Sequence, residues 1–301
     1  VALVSEKCLL PIMYIPIRHA QIVKREFTVC VSPLQLGFDK AHELVEMIEL
    51  NRILGANFFF FYNYSAAPNI DKVLGHYSNR GLVKVIQWRL PFPVTIVNMT
   101  TEEIHYYGQL AVINDCVYRN KGASSFVVNQ DIDEFIIPRK QNNWNRMINT
   151  LPTKRQCYMI RSAFFRKDWP DVNQSNKSDL SSEERLLAKR YRSITILKQV
   201  REDVVFPAYV RSKWMARPEC IEVAGVHNIH NQKDVVTCKT YVVLLDDGLL
   251  HHYRSFEERE EINSTTDNRI SVMKDKLLKN LERAWSDLGN FPAVPYKRDE
   301  A

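Results

Sequence analysis

Closely spaced cysteine pairs are missing. The six cysteines, Cys8, Cys30, Cys116, Cys157, Cys220 and Cys238, stand well apart, which removes the ligand spacing of a zinc site and leaves disulfides or buried thiols. Long hydrophobic runs are missing too. The longest apolar stretch, residues 8–17, is interrupted by Pro11 and Pro16 and is too short for a bilayer span or a signal peptide. No internal repeat stands out. Basic residues are scattered rather than blocked, and no motif of a nucleic-acid reader occurs, so nucleic acid is not an expected partner.

What is present is an ordinary globular composition. A chain of 301 residues with 45% hydrophobic and 25% charged residues has room for one large α/β domain or two smaller ones, and one is favoured here. Its 41 Lys and Arg against 35 Asp and Glu leave a net charge of +6, which suits an anionic ligand or surface. Five Asn-x-Ser/Thr sequons, at Asn63, Asn98, Asn173, Asn176 and Asn263, point to a lumenal or extracellular chain, because they are modified only on the secretory route.

The first half alternates. Residues 1–25 read as an extended, proline-punctuated lead-in. Strands are expected at 28–31, 57–62, 83–88 and 125–129. Helices are expected between them at 39–54, with Asp39 as N-cap and Gly55 as stop, at 70–78, and from a Thr100-x-x-Glu103 capping box to Asn120. That order predicts a mostly parallel sheet covered by helices on both faces. The second half is mixed: a short helix at 144–151, a strand at 157–165, a polar loop at 171–184, and β-like stretches at 193–200, 206–214 and 220–226. The apolar positions Ile270, Met273, Leu277, Leu281, Trp285 and Leu288 then mark a packing helix over 268–288.

Chemistry concentrates where the fourth strand ends. Asp131, Asp133 and Glu134 sit between the apolar runs 126–128 and 135–137. In open α/β sheets ligands bind outside the carboxyl ends of the strands. Two carboxylates at i and i+2 on a bend can share one hard divalent cation with a substrate's phosphates. A solvated turn is the plainer reading of Asp-x-Asp, but apolar flanks make an uncompensated charge there costly. Gln109, Asn114, Asp115 and Arg119 lie on a helix otherwise made of Leu110, Ala111, Val112 and Ile113, and a ligand role or a solvated face fits them equally. Later, His251-His252-Tyr253-Arg254 follows an apolar run, where an imidazole could ligate the cation and Arg254 could pair with a phosphate.

With these features the chain resembles glycosyltransferase family 92, within the GT-A architecture. The matching residues are Cys30-Val31-Ser32-Pro33-Leu34, Tyr62-Asn63-Tyr64-Ser65, Gln109 with Asn114-Asp115-Cys116 and Arg119, Asp131-Ile132-Asp133-Glu134-Phe135, Lys213, Gly225-Val226-His227 and His252-Tyr253-Arg254. The resemblance implies a single GT-A domain over 26–301, with a nucleotide-sugar half at 26–138 and an acceptor half at 139–301. It implies inverting transfer of galactose from UDP-galactose to a glycan hydroxyl of a glycoprotein or glycolipid, giving a β1,4 linkage. A type II Golgi membrane protein follows, with its anchor before Val1; a homodimer is left open. Asp131, Asp133 and His252 are carried over as ligands of Mn²⁺. Pro33, Tyr62, Asn63 and Tyr64 would line the uridine, and Gln109, Asn114, Asp115, Arg119, Asp131, Lys213 and Arg254 complete the expected donor contacts.

Inversion also needs a base within hydrogen-bond reach of the acceptor hydroxyl. Asp168, just past the strand ending near Phe165, is the first choice, with Glu184 and Glu222 as rivals. Trp169 and Trp214 could stack on sugars or fill the core, and the 171–184 loop could close over the substrates. The rival class is a sugar-binding module of the same fold that transfers nothing. A glycoside hydrolase fits less well, because its two carboxyl groups face each other across a cleft.

Overall fold

Runs of β-branched and aromatic residues build the nucleus. In chain order it consists of β1 (Arg25–Val31), α1 (Ala41–Leu54), β2 (Phe58–Asn63), α2 (Pro68–Asn79), β3 (Val83–Gln87), α3 (Gln109–Asn120) and β4 (Ser124–Gln130). The four strands are parallel, with β1 between β2 and β4 and with β3 outside β2. The architecture is that of a computed structural model describing residues 2–3, 13–14, 24–92, 94, 96–97, 100–101, 104–152, 155–172, 180–234, 236–256 and 262–289.

Period-two alternation divides the nucleus between two faces. Phe59 and Phe61 of β2 join Phe27, Val29 and Val31 of β1 in a core shared with α1. Phe58, Phe60 and Tyr62 point the other way with Cys30, toward Val112 and Val117 of α3. A disulfide from Cys30 to Cys116 ties β1 to α3 on that second face. Each fully buried phenylalanine contributes roughly 1.5–3 kcal/mol of transfer free energy.

The second half follows as β5 (Glu134–Pro138), α4 (Trp144–Thr150), β6 (Cys157–Ile160), β7 (Ser162–Arg166), α5 (Ser182–Arg190), α6 (Ile194–Leu197), β8 (Val200–Glu202), β9 (Lys213–Ala216), β10 (Ile221–Ala224), β11 (Ile229–Gln232), β12 (Thr240–Val242), β13 (Gly248–Arg254), β14 (Ser264–Thr266) and α7 (Lys274–Asp287). It extends the first sheet to seven strands, ordered β12-β6-β9-β4-β1-β2-β3, and forms a second of five, ordered β14-β8-β7-β13-β5. At two places the chain crosses from the first sheet to the second within one to three residues. Asp131, Ile132 and Asp133 carry it from β4 to β5, and Arg161 carries it from β6 to β7. Leu277 and Leu281 of α7 close the core shared with α1.

Several expectations change. Residues 157–165 are not one strand, because Arg161 breaks them between two sheets. The stretch from 193 is helical before it is extended: buried Glu46 of α1 accepts bonds from the amides of Ile194 and Thr195 and from the hydroxyls of Ser193 and Thr195, and so caps α6. Asp39 is not an N-cap; Lys40 holds that position without a side-chain bond. Thr100 lies in a two-residue ladder with residues 96–97, Glu103 lies outside the described residues, and α3 opens only at Gln109. Its start is delayed by Tyr106, Tyr107 and Gly108, three consecutive residues at positive φ. Of the 171–184 loop, residues 173–179 lie outside the described part, as do Asn98, Asn173 and Asn176, and from Ser182 it is already helix.

Candidate active site

The site forms where several chain directions end on one edge. Gln130 pairs with Val31 at the carboxyl ends of β4 and β1, so Ser32 and Asp131 leave the sheet side by side. Antiparallel β9 enters at the same edge, with Lys213 opposite Ile160 and Trp214 opposite Asn129. In the second sheet His252 stands between Phe164 and Glu134. The Asp131–Asp133 crossing thus lies between a lysine from one sheet and a histidine from the other.

The two aspartates have different partners. Asp131 accepts from the Ser32 hydroxyl on Oδ1 and from Lys213 Nζ on Oδ2, the latter at 2.8 Å. Gln109 donates to that Ser32 oxygen at 2.7 Å. Lys213, wholly buried, also reaches Glu134 Oε2 at 3.1 Å, and Glu134 accepts the Asp131 amide at 2.9 Å. Asp133 instead faces His252, with Oδ2 and Nε2 3.6 Å apart. Nδ1 of His252 lies 3.3 Å from Glu134 Oε1 without an aligned hydrogen bond. About a third of each aspartate side chain stays open to solvent, 31% for Asp131 and 32% for Asp133.

Charge follows from these contacts. Burial works to raise the Asp131 carboxyl, but the Lys213 ammonium and the Ser32 hydroxyl hold it below its ordinary range. Burial opposes ionisation of Asp133 as well, yet the His252 imidazole and Lys167 bring it down to about 2. Glu134 is pushed up to about 6, because burial outweighs Lys213 and the neighbouring aspartates repel its charge. His252 is raised: burial would lower it, but Glu134 and Asp133 prevail. The crossing is therefore a compact, mostly anionic edge.

A divalent cation fits the Asp133–His252 gap. Oxygen and nitrogen ligands sit roughly 2.0–2.2 Å from such an ion, so two of them on one centre can lie up to about 4.2 Å apart. Their 3.6 Å separation is within that span. Among the described residues no three of His, Cys, Asp and Glu are grouped as a complete cage. Two protein donors leave coordination positions for phosphates and water, as is usual for hard cations on nucleotides. Each oxygen of Asp131 already accepts one hydrogen bond, Oδ1 from Ser32 and Oδ2 from Lys213.

A second cluster lies at the carboxyl end of β2. Leu34, after Pro33, donates its amide to the Tyr62 carbonyl and accepts the amides of Tyr64 and Ser65. The Tyr62 hydroxyl donates to Asp115 at 2.7 Å, and Arg119 pairs with the same carboxylate at 2.5 Å. Asn114 bonds both ways with Ala224, pinning α3 to β10, and Asn63 donates to Asp71. Asp115, Arg119 and Asn114 thus hold structure together here. The ring of Tyr64 lies 4.7 Å from that of Tyr107. Sequence reasoning missed Tyr106 and Tyr107, although a tyrosine pair before Gly108 was visible; strained non-glycine turns of this kind gather at ligand sites.

The acid candidates separate. Asp168 lies two residues beyond the end of β7, on the edge where His252 and Arg254 emerge from the neighbouring β13, and it meets Arg166 at 3.4 Å. Glu184 is the N3 residue of the α5 capping box and pairs with Lys274 at 2.9 Å. Glu222 sits on the β10–β11 hairpin and accepts from Asn231. Trp214 is core, with its indole donating to the Gly225 carbonyl, while Asn129 donates to the Val226 carbonyl; the Gly225-Val226-His227 turn thereby braces β9 and β4. A Cβ on Gly225 would meet the side chains of His230 at 2.3 Å and Asn228 at 2.5 Å, which would have to move aside. Arg254 is exposed.

A family model described as Glycosyltransferase family 92 matches residues 25–287. The chain belongs to glycosyltransferase family 92. It is similar to the beta-1,4-galactosyltransferase galt-1 of Caenorhabditis elegans, with 25% identity over 206 residues, 67% of this chain and 42% of that protein. It is also similar to the glycosyltransferase family 92 protein F13G3.3 of the same organism, with 22% identity over 283 residues, 90% of this chain and 53% of that one. The chain spans about half the length of these relatives. Among solved structures, Staphylococcus aureus TarS 1-349 aligns with TM-score 0.41 and 11% identity over 91% of this chain and 76% of that one. Glucosyl-3-phosphoglycerate synthase from Mycobacterium tuberculosis, in complex with Mn²⁺, UDP and glucosyl-3-phosphoglycerate, aligns with TM-score 0.31 and 12% identity over 88% and 80%. These two likenesses are too loose to bear on function. Among the described residues no helix is long and apolar enough to cross a membrane.

Proposed function

We propose that this family 92 glycosyltransferase moves galactose from UDP-galactose to a glycan hydroxyl with inversion, forming a β1,4 bond in the Golgi lumen. The observation that carries the reading is the Asp133–His252 pair at the strand edge, open to solvent and flanked by Asp131. The relative named a beta-1,4-galactosyltransferase supports the donor and linkage. Two disulfides and the sequons support a lumenal setting.

Asp133 and His252 would hold Mn²⁺, which would supply positive charge to offset that of the diphosphate leaving group. The chain's own residues do the rest. Lys213 and Ser32 fix the Asp131 carboxylate, and Gln109 fixes Ser32 in turn. Tyr64 and Tyr107 form an aromatic wall beside the Pro33–Leu34 strap, where the uracil stacks. Asp168 takes the proton from the acceptor hydroxyl, since of the three acid candidates it alone emerges beside His252 and Arg254.

Release of UDP from UDP-galactose, measured with Mn²⁺ and a panel of glycan acceptors, tests this. Acceptor-dependent release with inverted product is expected. Tight UDP binding without turnover on any acceptor would instead make the chain a binding module.

A further inference from the structure

Beside His252 lies an aromatic shelf carrying two exposed guanidinium groups. Phe164, the neighbour of His252 across β7 and β13, has its ring 5.1 Å from the imidazole. It is flanked by Phe206 at 4.8 Å and Phe256 at 5.2 Å. Arg211 lies over Phe164 and Phe206, at 5.3 and 5.5 Å from the ring centres, and Arg254 lies 5.4 Å from that of Phe256. Both arginines are exposed. Among the described residues neither forms a salt bridge or side-chain hydrogen bond, whereas nearby Arg166 is paired with Asp168 and Glu202.

The loop that presents Arg211 is held in an uncommon shape. Tyr209 and Arg211 adopt left-handed backbone, at φ 72° and 53°. The Phe206 amide donates to the Ser162 carbonyl, the Tyr209 amide to the Ser212 hydroxyl, and His227 meets the Ser212 carbonyl. Non-glycine residues persist in such conformations where the surroundings over-determine them, as they do at ligand clamps.

Resting on the transferase reading above, we infer that Arg211 and Arg254 form an acceptor-side oxyanion subsite, so that this enzyme prefers acceptor glycans bearing a carboxylate, sulfate or phosphate. The planar guanidinium groups suit such anions, and the rings beneath them suit a sugar face. Phe164 lies on β7 and Arg254 on β13, both in the second sheet, whereas β1 and β2 belong to the first.

The test uses the protein with UDP and Mn²⁺ present and matched oligosaccharides: glucuronate- against glucose-terminated, sulfated against unsulfated, phosphorylated against unphosphorylated. Calorimetry should show at least one charged partner binding roughly tenfold tighter than its neutral match. Arg211→Gln and Arg254→Gln, each checked for an unchanged melting temperature, should erase that preference, while Arg211→Lys keeps part of it. The UDP affinity of Arg211→Gln, titrated separately, should not move. Equal binding of charged and neutral partners by the wild type overturns the inference, as does a loss confined to UDP affinity, which would put the guanidinium on the diphosphate. Absence of UDP binding by the wild type would instead overturn the transferase reading.

Discussion

Lys213 Nζ lies 2.8 Å from Asp131 Oδ2 and has no access to solvent, so a buried ammonium from one strand fixes the carboxylate that opens the crossing between the two sheets. Glu134 completes the triad at 3.1 Å. Stability and site geometry therefore share one side chain.

Lys213→Met removes the positive partner and leaves two acids facing each other. Breaking a buried pair from one side costs roughly 3–5 kcal/mol. Thermal denaturation should show a correspondingly lower midpoint, and a midpoint equal to wild type would mean that the triad contributes nothing.

The partners of the two aspartates predict unequal roles in cation binding. Asp133→Asn should abolish Mn²⁺ binding in the presence of UDP, read by paramagnetic resonance of the free ion. Asp131→Asn, as a supporting group, should weaken it about 10–100-fold. The reverse order would assign the cation to Asp131.

The capping box and the Lys274 pair predict a role for Glu184 in stability. Burial works to raise its carboxyl, but Lys274 and the Ser181 amide and hydroxyl bring it down to about 2. Because that lies below the ordinary value of about 4.5, its contribution is present above that pH and is lost as pH falls toward 2. Glu184→Gln should cost about 1 kcal/mol at neutral pH, flatten the acid limb of the stability curve, and leave turnover intact. A large fall in turnover with unchanged stability would restore it as a base candidate.

The cysteines divide sharply. Closing an 86-residue loop, the Cys30–Cys116 bridge should contribute about 4–5 kcal/mol by chain-entropy reasoning. Burial pushes the Cys157 thiol up to about 12, so in the native protein it should resist iodoacetamide at pH 8 and react on unfolding. Peptide mapping that found Cys157 alkylated in the native state would contradict its burial.

The local pattern determined the parallel nucleus, because β2's five aromatic residues can be buried only on two covered faces and Gly55 stops α1 at φ 123°. The acidic crossing was legible too, since apolar runs bracketed it. Only the tertiary structure decided which partner each acid meets. Lys213 lies 82 residues from Asp131, and His252 comes from a different sheet than Lys213. The same holds for α6, whose β-like letters turn helical because Glu46, some 148 residues away, caps its amides. Period and spacing act over a few residues and are written in sequence; the choice of counter-ion for a carboxylate depends on which strands a long-range register brings to one edge.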